Sequence, residues 1–176
     1  GLDASFSEEA LVNRLNADLA NDLGNLFSRV LTMTNKYFAG LVPEPGNLEE
    51  VDRETLEIGF NSLQNFQTLF ANFNFSKALA SLWELVRHLN KYIGTVAPWS
   101  LYKNNQIERL KTVIYVLLEG MRKIALHLWP VMPLSSETML EQLGVKFDLQ
   151  KINLKNELTN WQGLAKGVKV ARKSNL

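Results

Sequence analysis

Hydrophobic residues recur along this chain at alternating spacings of four and three, a pattern that places side chains on one face of a helix. In the first long segment this apolar face comprises Leu19, Leu23, Leu26, Val30, Met33 and Tyr37. A lead-in helix is predicted over residues 7–15, with Ser5 or Ser7 as its N-cap, and Asn16 is placed to cap the main helix. A loop is predicted after the main helix, where the chain carries Gly40, Pro43, Pro45 and Gly46.

Three further long segments repeat the pattern. The second spans residues 51–72, and its apolar face comprises Leu56, Phe60, Leu63, Phe66, Phe70 and Phe73. The third ends at Gly94 and Pro98, and its apolar face comprises Phe75, Leu79, Leu82, Val86, Leu89 and Ile93. The fourth ends at Pro130 and Pro133, and its apolar face comprises Ile107, Leu110, Ile114, Leu117, Met121, Ile124 and Leu128.

Together these segments predict an all-α fold, a helix bundle of about five helices over residues 1–144. A short last helix is expected to run from a cap at Ser135 or Ser136 to Gly144. Residues 145–176 lack the helical spacing and are expected to form an irregular C-terminal tail. The tail contains a basic cluster of Lys166, Lys169, Arg172 and Lys173.

The composition is that of one soluble globular domain. The 176 residues are enough to bury a substantial core, and 46% of them are hydrophobic. The absence of cysteine excludes disulfides, thiolate zinc sites and cysteine nucleophiles, and it is compatible with the cytoplasm. The longest apolar run, residues 112–118, is too short to span a bilayer, so no membrane partner is expected. Because the chain begins at Gly1 and soon enters a helix, it is expected to come from a longer protein.

No catalytic or metal-binding motif is found in the sequence. Gly-x-x-x-x-Gly-Lys, Gly-x-Gly-x-x-Gly and Gly-x-Ser-x-Gly are all absent. His88 and His127 have no nearby ligand pattern and are interpreted as ordinary helix residues. We therefore expect no catalytic residue, no metal ligand and no cofactor in this chain. The net charge of +1 gives no strong basic field, so a nucleic acid would have to be bound through local contacts.

Asn25 and Arg29 form a polar pair on the first long helix, since residues four apart share one face. At about 100° per residue, the apolar band centres on Leu19 and Tyr37, with Asn25 roughly 120° and Arg29 roughly 80° away on the same flank. An amide beside a guanidinium offers the donors and acceptors that read a base edge. In the absence of RNA, Asp22 or another acid is expected to pair with Arg29. The alternative is that Asn25 and Arg29 are simply solvated residues of the helix face.

Trp99 follows the third long helix directly after Pro98, whose rigid ring ends that helix. Such a tryptophan offers a ring on which an unpaired base can stack, although half-buried packing is the more common role. Trp83 and Trp129 lie within or at the ends of apolar faces and are assigned to the core. Trp161 is expected to cover the bundle or an interdomain surface. An edge-reading pair with a stacking ring suggests recognition of an unpaired nucleotide.

Particular runs of residues carry a family resemblance. Residues 16–26 read Asn-Ala-Asp-Leu-Ala-Asn-Asp-Leu-Gly-Asn-Leu, and with Arg29 they resemble the opening of the helical anticodon-binding domain of class I aminoacyl-tRNA synthetases. The Asn-x-x-x-Arg pair, with Asn-Lys-Tyr-Ile at residues 90–93 and Ala-Pro-Trp at residues 97–99, looks like the methionyl-tRNA synthetase family in particular. The resemblance covers roughly residues 6–143. The class I catalytic signatures His-Ile-Gly-His and Lys-Met-Ser-Lys-Ser are absent from this chain.

The resemblance implies that this chain recognises tRNA and performs no chemistry alone. Asn25 and Arg29 would hydrogen-bond the Watson–Crick edge of the first anticodon base, a cytosine, and Trp99 would stack on the anticodon. The implied partner is the CAU anticodon loop of tRNA(Met), and DNA is not expected. A catalytic domain of the same polypeptide would use ATP and Mg²⁺ to attach methionine, and the tail would pack on the bundle or on that domain. Further possible RNA contacts are Asn90, Lys91, Tyr92, Lys166, Lys169, Arg172 and Lys173.

Two alternatives stay open at the level of sequence. A helical interaction or scaffold domain would carry the same residues as ordinary surface, and it would not require Trp99 to lie near Asn25 and Arg29. The corresponding domain of a sister class I ligase would be expected to lack the combination of Asn-x-x-x-Arg with Pro-Trp.

Overall fold

The computed structural model describes residues 10, 13, 17, 19–146, 148 and 150–173. The caps predicted at Ser5 or Ser7 and at Asn16 lie outside the described residues, as does most of the lead-in helix predicted over residues 7–15. A π-helical turn, Leu19–Leu23, leads directly into the first α-helix. The α-helices are α1 (Gly24–Phe38), α2 (Glu50–Ala71), α3 (Phe75–Val96), α4 (Pro98–Lys103), α5 (Ile107–Leu128), α6 (Pro133–Gln142) and α7 (Leu154–Thr159).

The all-α class predicted from the periodicity is confirmed. Among the described residues the regular backbone is helical, and the β-type pairing consists of one isolated antiparallel bridge between Leu41 and Lys169. None of the helices in this part of the chain combines the length and the apolarity that a membrane span requires.

The buried face of α1 is rotated relative to the predicted apolar band. It comprises Leu26, Phe27, Val30, Leu31 and Thr34. Met33 and Tyr37, which the sequence placed within the band, are only half-buried at its margin. The helix ends where Ala39 and Gly40 take left-handed backbone conformations, with φ of 52° and 78°. This rotation matters for function because it leaves Met33 and Tyr37 at the surface on the side of Arg29.

Helices α2 and α3 form an antiparallel pair joined by a tight turn. Helix α2 begins with a capping box. The Glu49 side chain accepts from the backbone N–H of Asp52, and the Asp52 side chain accepts from the backbone N–H of Glu49. Leu63 and Phe66 enter the core as predicted. Phe73 does not, because it lies in the turn with a φ of 58° and is 82% exposed.

Two short helices were not predicted, and a third starts earlier than expected. Residues 98–103 form α4, since the left-handed Ala97 breaks α3 and Pro98 then occupies the first helical position, where its missing N–H costs nothing. In the tail, Asn153 caps α7 by accepting from the Lys155 N–H.

Helix α6 begins at Pro133, so the caps predicted at Ser135 and Ser136 are wrong and both serines lie inside the helix.

Helix α5 is the centre of the bundle. Every residue from 112 to 128 is buried, although the sequence predicted an amphipathic helix with one apolar face. The buried charges on α5 contact the tail. Arg122 donates to Glu119 at 2.6 and 3.0 Å and to Glu157 at 2.6 Å, and Lys123 Nζ lies 5.0 Å from the ring centre of Trp161. These contacts join α5 to the tail, while the domain division at residue 144 stays a prediction.

Candidate nucleic-acid interface

An open pocket of about 450 Å³ lies along α1 and reaches α4. Its α1 side is built on a row of residues at every fourth position, which brings them to one helix face. This row comprises Asn25, Arg29, Met33 and Tyr37, with Ser28 and Thr32 beside it. Trp99 of α4 completes the lining. The three residues singled out from sequence for base recognition, Asn25, Arg29 and Trp99, therefore lie around one pocket.

Arg29 and Asn25 are exposed on this surface. Arg29 Nη1 donates to Oδ1 of Asn90 on α3 at 3.1 Å. Among the described residues the guanidinium therefore pairs with an amide, where Asp22 or another acid was expected. The amide of Asn25 donates to the backbone carbonyl of Asn21, one turn earlier. A guanidinium has five N–H donors, and within the described residues the contact with Asn90 uses one of those of Arg29.

Trp99 is held at the start of α4 by the backbone around it. Ala97 has a φ of 46°, and the buried Pro98 follows it. Trp99 is 52% exposed, in contrast to Trp83, which is buried in the core as predicted. An indole fixed at a helix start and half open to solvent offers a flat face to a planar ligand.

Tyr92 lies in the core rather than at the pocket. Its ring is buried, and its hydroxyl donates to Asp52, which also receives two hydrogen bonds from Arg109 at 2.6 and 2.9 Å. Burial and the negative charge of Asp52 raise the pKa of Tyr92. Burial acts against ionisation of Asp52, but the hydrogen bonds from Arg109 and Tyr92 outweigh it and lower its pKa. This cluster joins α2, α3 and α5 close to the end of α3, the helix that precedes α4 and Trp99.

The other predicted RNA contacts are dispersed. Asn90 is half-buried beside Arg29, and Lys91 is exposed. In the tail, Lys169 Nζ donates to the Ala39 carbonyl at 2.7 Å, and Lys166 Nζ lies 5.4 Å from the ring centre of Tyr115. Arg172 and Lys173 are exposed. None of these side chains lines the pocket of Trp99.

Sequence reasoning missed Tyr37 and Tyr102 as residues of this surface. Tyr37 was assigned to the apolar band, yet it lines the pocket and stacks on Tyr102 with ring centres 4.7 Å apart. The sequence did contain a signal for Tyr37, because Asn25, Arg29, Met33 and Tyr37 recur at every fourth position and so share one helix face.

Both histidines have partners within the protein. His88 Nε2 lies 3.0 Å from Thr55 Oγ1, and His127 Nδ1 lies 2.8 Å from the Lys123 carbonyl oxygen. Over the part of the chain that the structure describes, no group of three or more His, Asp or Glu side chains is arranged to hold a metal ion.

The sequence profile of the anticodon-binding domain of methionyl-tRNA ligase matches residues 42–176. The chain belongs to this family. The matched range includes Trp99 and the tail, whereas Asn25 and Arg29 precede it. The family assignment favours the methionine enzyme over the sister class I ligases considered from sequence.

Individual relatives extend the match to nearly the whole chain. The chain is 43% identical over 169 residues to the methionine–tRNA ligase of Caldanaerobacter subterraneus subsp. tengcongensis, covering 96% of this chain and 25% of that protein. It is 40% identical to the enzyme of Thermotoga maritima, covering 95% of this chain and 26% of that protein. The chain thus spans about a quarter of the length of these relatives.

The fold is also similar to solved structures. Methionyl-tRNA synthetase of Mycobacterium tuberculosis in complex with methionyl-adenylate superposes with a TM-score of 0.78 and 33% sequence identity. The similarity covers 92% of this chain and 31% of that one. Because it covers 92% of the chain, this likeness extends beyond the range 42–176 that the family profile matches.

Proposed function

We propose that this chain recognises the CAU anticodon loop of tRNA(Met) through the pocket between α1 and α4. The observation that supports the proposal is the convergence of Asn25, Arg29 and Trp99, which are distant in sequence, around one open pocket. A scaffold domain, the alternative considered from sequence, would not require these three side chains to lie together. Unpaired loops suit such a site because their splayed bases expose both an edge and a face.

Each of the three side chains has a distinct role. The edge of cytosine carries both a donor and acceptors, and the amide of Asn25 with the guanidinium of Arg29 can complement both kinds of group. Trp99 stacks on the base, a contact worth about 1–3 kcal/mol in proteins that bind single strands. Hydrogen bonds to the edge give base selectivity, whereas stacking gives affinity for any base.

The longer protein to which we assign the chain is a methionine–tRNA ligase. In this proposal a catalytic domain of the same polypeptide attaches methionine to tRNA(Met), using ATP and Mg²⁺, in the cytoplasm. This chain then contributes recognition and no chemistry. Its net charge of +1 agrees with that division, because phosphate contacts over the rest of the tRNA would be made elsewhere.

The proposal is tested by titrating the chain at low salt with an anticodon stem-loop carrying CAU and with a stem-loop whose first anticodon base is changed. We expect tighter binding of the CAU loop. Trp99→Ala should weaken binding of both loops, while Asn25→Ala should reduce the ratio between their dissociation constants.

Matched control variants separate recognition from general surface effects. Phe73→Ala changes a residue that is 82% exposed in the turn before α3, and the 22 residues of α3, about 33 Å at 1.5 Å per residue, separate it from the end that precedes Trp99. Asn61→Ala removes an exposed amide from α2, away from the pocket. Neither control should change binding. Equal affinity of the unaltered chain for both loops would contradict the methionine anticodon as its ligand.

A further inference from the structure

A stacked pair of tyrosines extends the aromatic surface beyond Trp99. The rings of Tyr37 on α1 and Tyr102 on α4 have centres 4.7 Å apart and planes inclined by 30°. Tyr102 follows Trp99 by three residues on the same helix, so the two side chains are neighbours on its surface, about 5–6 Å apart at Cβ. Tyr37 also lines the pocket of Trp99. Three aromatic rings therefore border one surface.

Two of these rings are open to solvent. Tyr102 is 46% exposed and Trp99 is 52% exposed, whereas Phe27 and Phe66 are buried in the bundle. Tyr37 covers one side of the Tyr102 ring. A base of the RNA can therefore stack on the part of Tyr102 that stays exposed. Adjacent exposed rings suit successive bases of a single strand, since every base has a π-face.

Exposed cations flank the tyrosine pair. Lys36 Nζ lies 5.6 Å from the ring centre of Tyr37, and Lys103 follows Tyr102 directly in sequence. Within the described residues, neither ammonium group forms an ion pair with the protein. Lysines beside stacking rings are placed to contact the phosphates that link successive bases.

We propose that Tyr102, supported by Tyr37, is a second stacking platform that binds an unpaired base next to the base held at Trp99. The inference rests on the proposed function, since it places a further nucleotide of the same RNA loop. Stacking contacts the face of a base and not its edge, so the platform contributes affinity without selecting the first anticodon base.

The test compares Tyr102→Leu with Tyr102→Phe in titrations of the CAU stem-loop. Leucine keeps apolar packing against Tyr37 but removes the ring, whereas phenylalanine keeps the ring and removes only the hydroxyl. Loss of one stacked base should weaken binding by about tenfold in Tyr102→Leu, while Tyr102→Phe should stay within about twofold of the unaltered chain. The ratio of affinities for the CAU loop and the loop with a changed first base should not move.

Stem-loops with one abasic position identify the base that stacks. With the base at one loop position removed, Tyr102→Leu should bind as well as the unaltered chain, because the contact is already lost. A loss of affinity in Tyr102→Leu that persists at every abasic position would instead indicate a purely structural role and overturn the proposal, as would unchanged affinity of Tyr102→Leu for the intact CAU loop.

The same titrations separate this proposal from the one on which it rests. If the unaltered chain prefers the CAU loop and Tyr102→Leu has no effect, only the second platform is refuted. If the unaltered chain shows no binding or no preference for CAU, the anticodon function is refuted and the second platform with it.

Discussion

The guanidinium of Arg29 donates a hydrogen bond to the side-chain oxygen of Asn90, 3.1 Å away, and so connects α1 to α3. Arg29 lines the pocket and Asn90 does not. A long, exposed arginine side chain has many rotamers, and a fixed acceptor on the neighbouring helix reduces their number before a ligand binds. Asn90 is therefore placed to orient Arg29.

Replacing Asn90 by alanine should reduce discrimination at the first anticodon base. Loss of one hydrogen bond is worth about 1 kcal/mol, so the affinity ratio between the CAU loop and the loop with a changed first base should fall by about fivefold. Asn61→Ala is the control, because it removes an exposed amide from α2, away from the pocket. In an Arg29→Ala background, Asn90→Ala should have no further effect, and a full effect there would show that Asn90 acts independently of Arg29.

The buried carboxylate of Glu119 should be essential for stability. It accepts hydrogen bonds from Arg122 and from the backbone N–H groups of Gly163 and Leu164 in the tail, at 3.1 and 3.0 Å. Glu119→Gln removes this negative charge while Glu157 still accepts from Arg122 at 2.6 Å, so the loss should stay below the roughly 3–5 kcal/mol that breaking a buried pair completely costs. Urea denaturation followed by circular dichroism measures the change in the free energy of unfolding.

Glu108→Gln is the matched control for this substitution. Glu108 lies on the same helix, its side chain is 80% exposed, and it pairs with Lys111 at 2.7 Å. Surface pairs of this kind contribute at most about 1 kcal/mol. If Glu119→Gln and Glu108→Gln lose similar amounts of stability, the buried network does not hold the tail to the bundle.

The stability of the fold should decrease as the pH falls below the usual pKa of histidine. Burial lowers the pKa of His127 from 6.5 to about 4. Between these values the unfolded chain binds a proton that the folded chain does not, so this contribution is complete above pH 6.5 and declines toward pH 4, by about 3 kcal/mol in total.

Unfolding free energies measured across this pH range test the prediction. His127→Gln keeps a polar side chain opposite Gln67 but cannot titrate, so the slope of stability against pH should become shallower. His88→Gln is the control. Its pKa is also lowered by burial, but it is only half-buried, and its removal should change the slope less. An unaltered slope in His127→Gln would assign the pH dependence to other groups.

Alanine at position 144 should destabilise the contact between α6 and the tail. Gly144 has a φ of 74°, and a Cβ added there would lie 2.2 Å from Val168 Cγ1. Gly167 has a similar φ of 73° but no atom within 4 Å of an added Cβ. Gly167→Ala should therefore lower the free energy of unfolding by only about 1 kcal/mol, the penalty of a left-handed backbone for alanine. Gly144→Ala should lower it clearly more, because the added Cβ also meets Val168. Equal losses in thermal denaturation would mean that Val168 moves aside freely.

The long helices were predictable because their signal is local. The spacing of apolar residues in α2, α3 and α5 follows from 3.6 residues per turn, and the observed helices Glu50–Ala71, Phe75–Val96 and Ile107–Leu128 agree with it. The short helices were not predictable in this way. Six residues at Pro98–Lys103 and at Leu154–Thr159 contain too few turns to establish a period, and contacts with the rest of the protein stabilise them.

The sequence by itself determined the helical class, the long helices and the residue types able to read a base, because propensity and periodicity act over a few turns. Only the tertiary structure decided which of those residues meet. Packing of α1 on its Phe27 face turned Tyr37 outward, and the break at Ala97 brought Trp99 to the pocket of Asn25 and Arg29. Whether these side chains meet depends on how helices that are distant in sequence pack together, and the spacing of residues within one helix does not predict that packing.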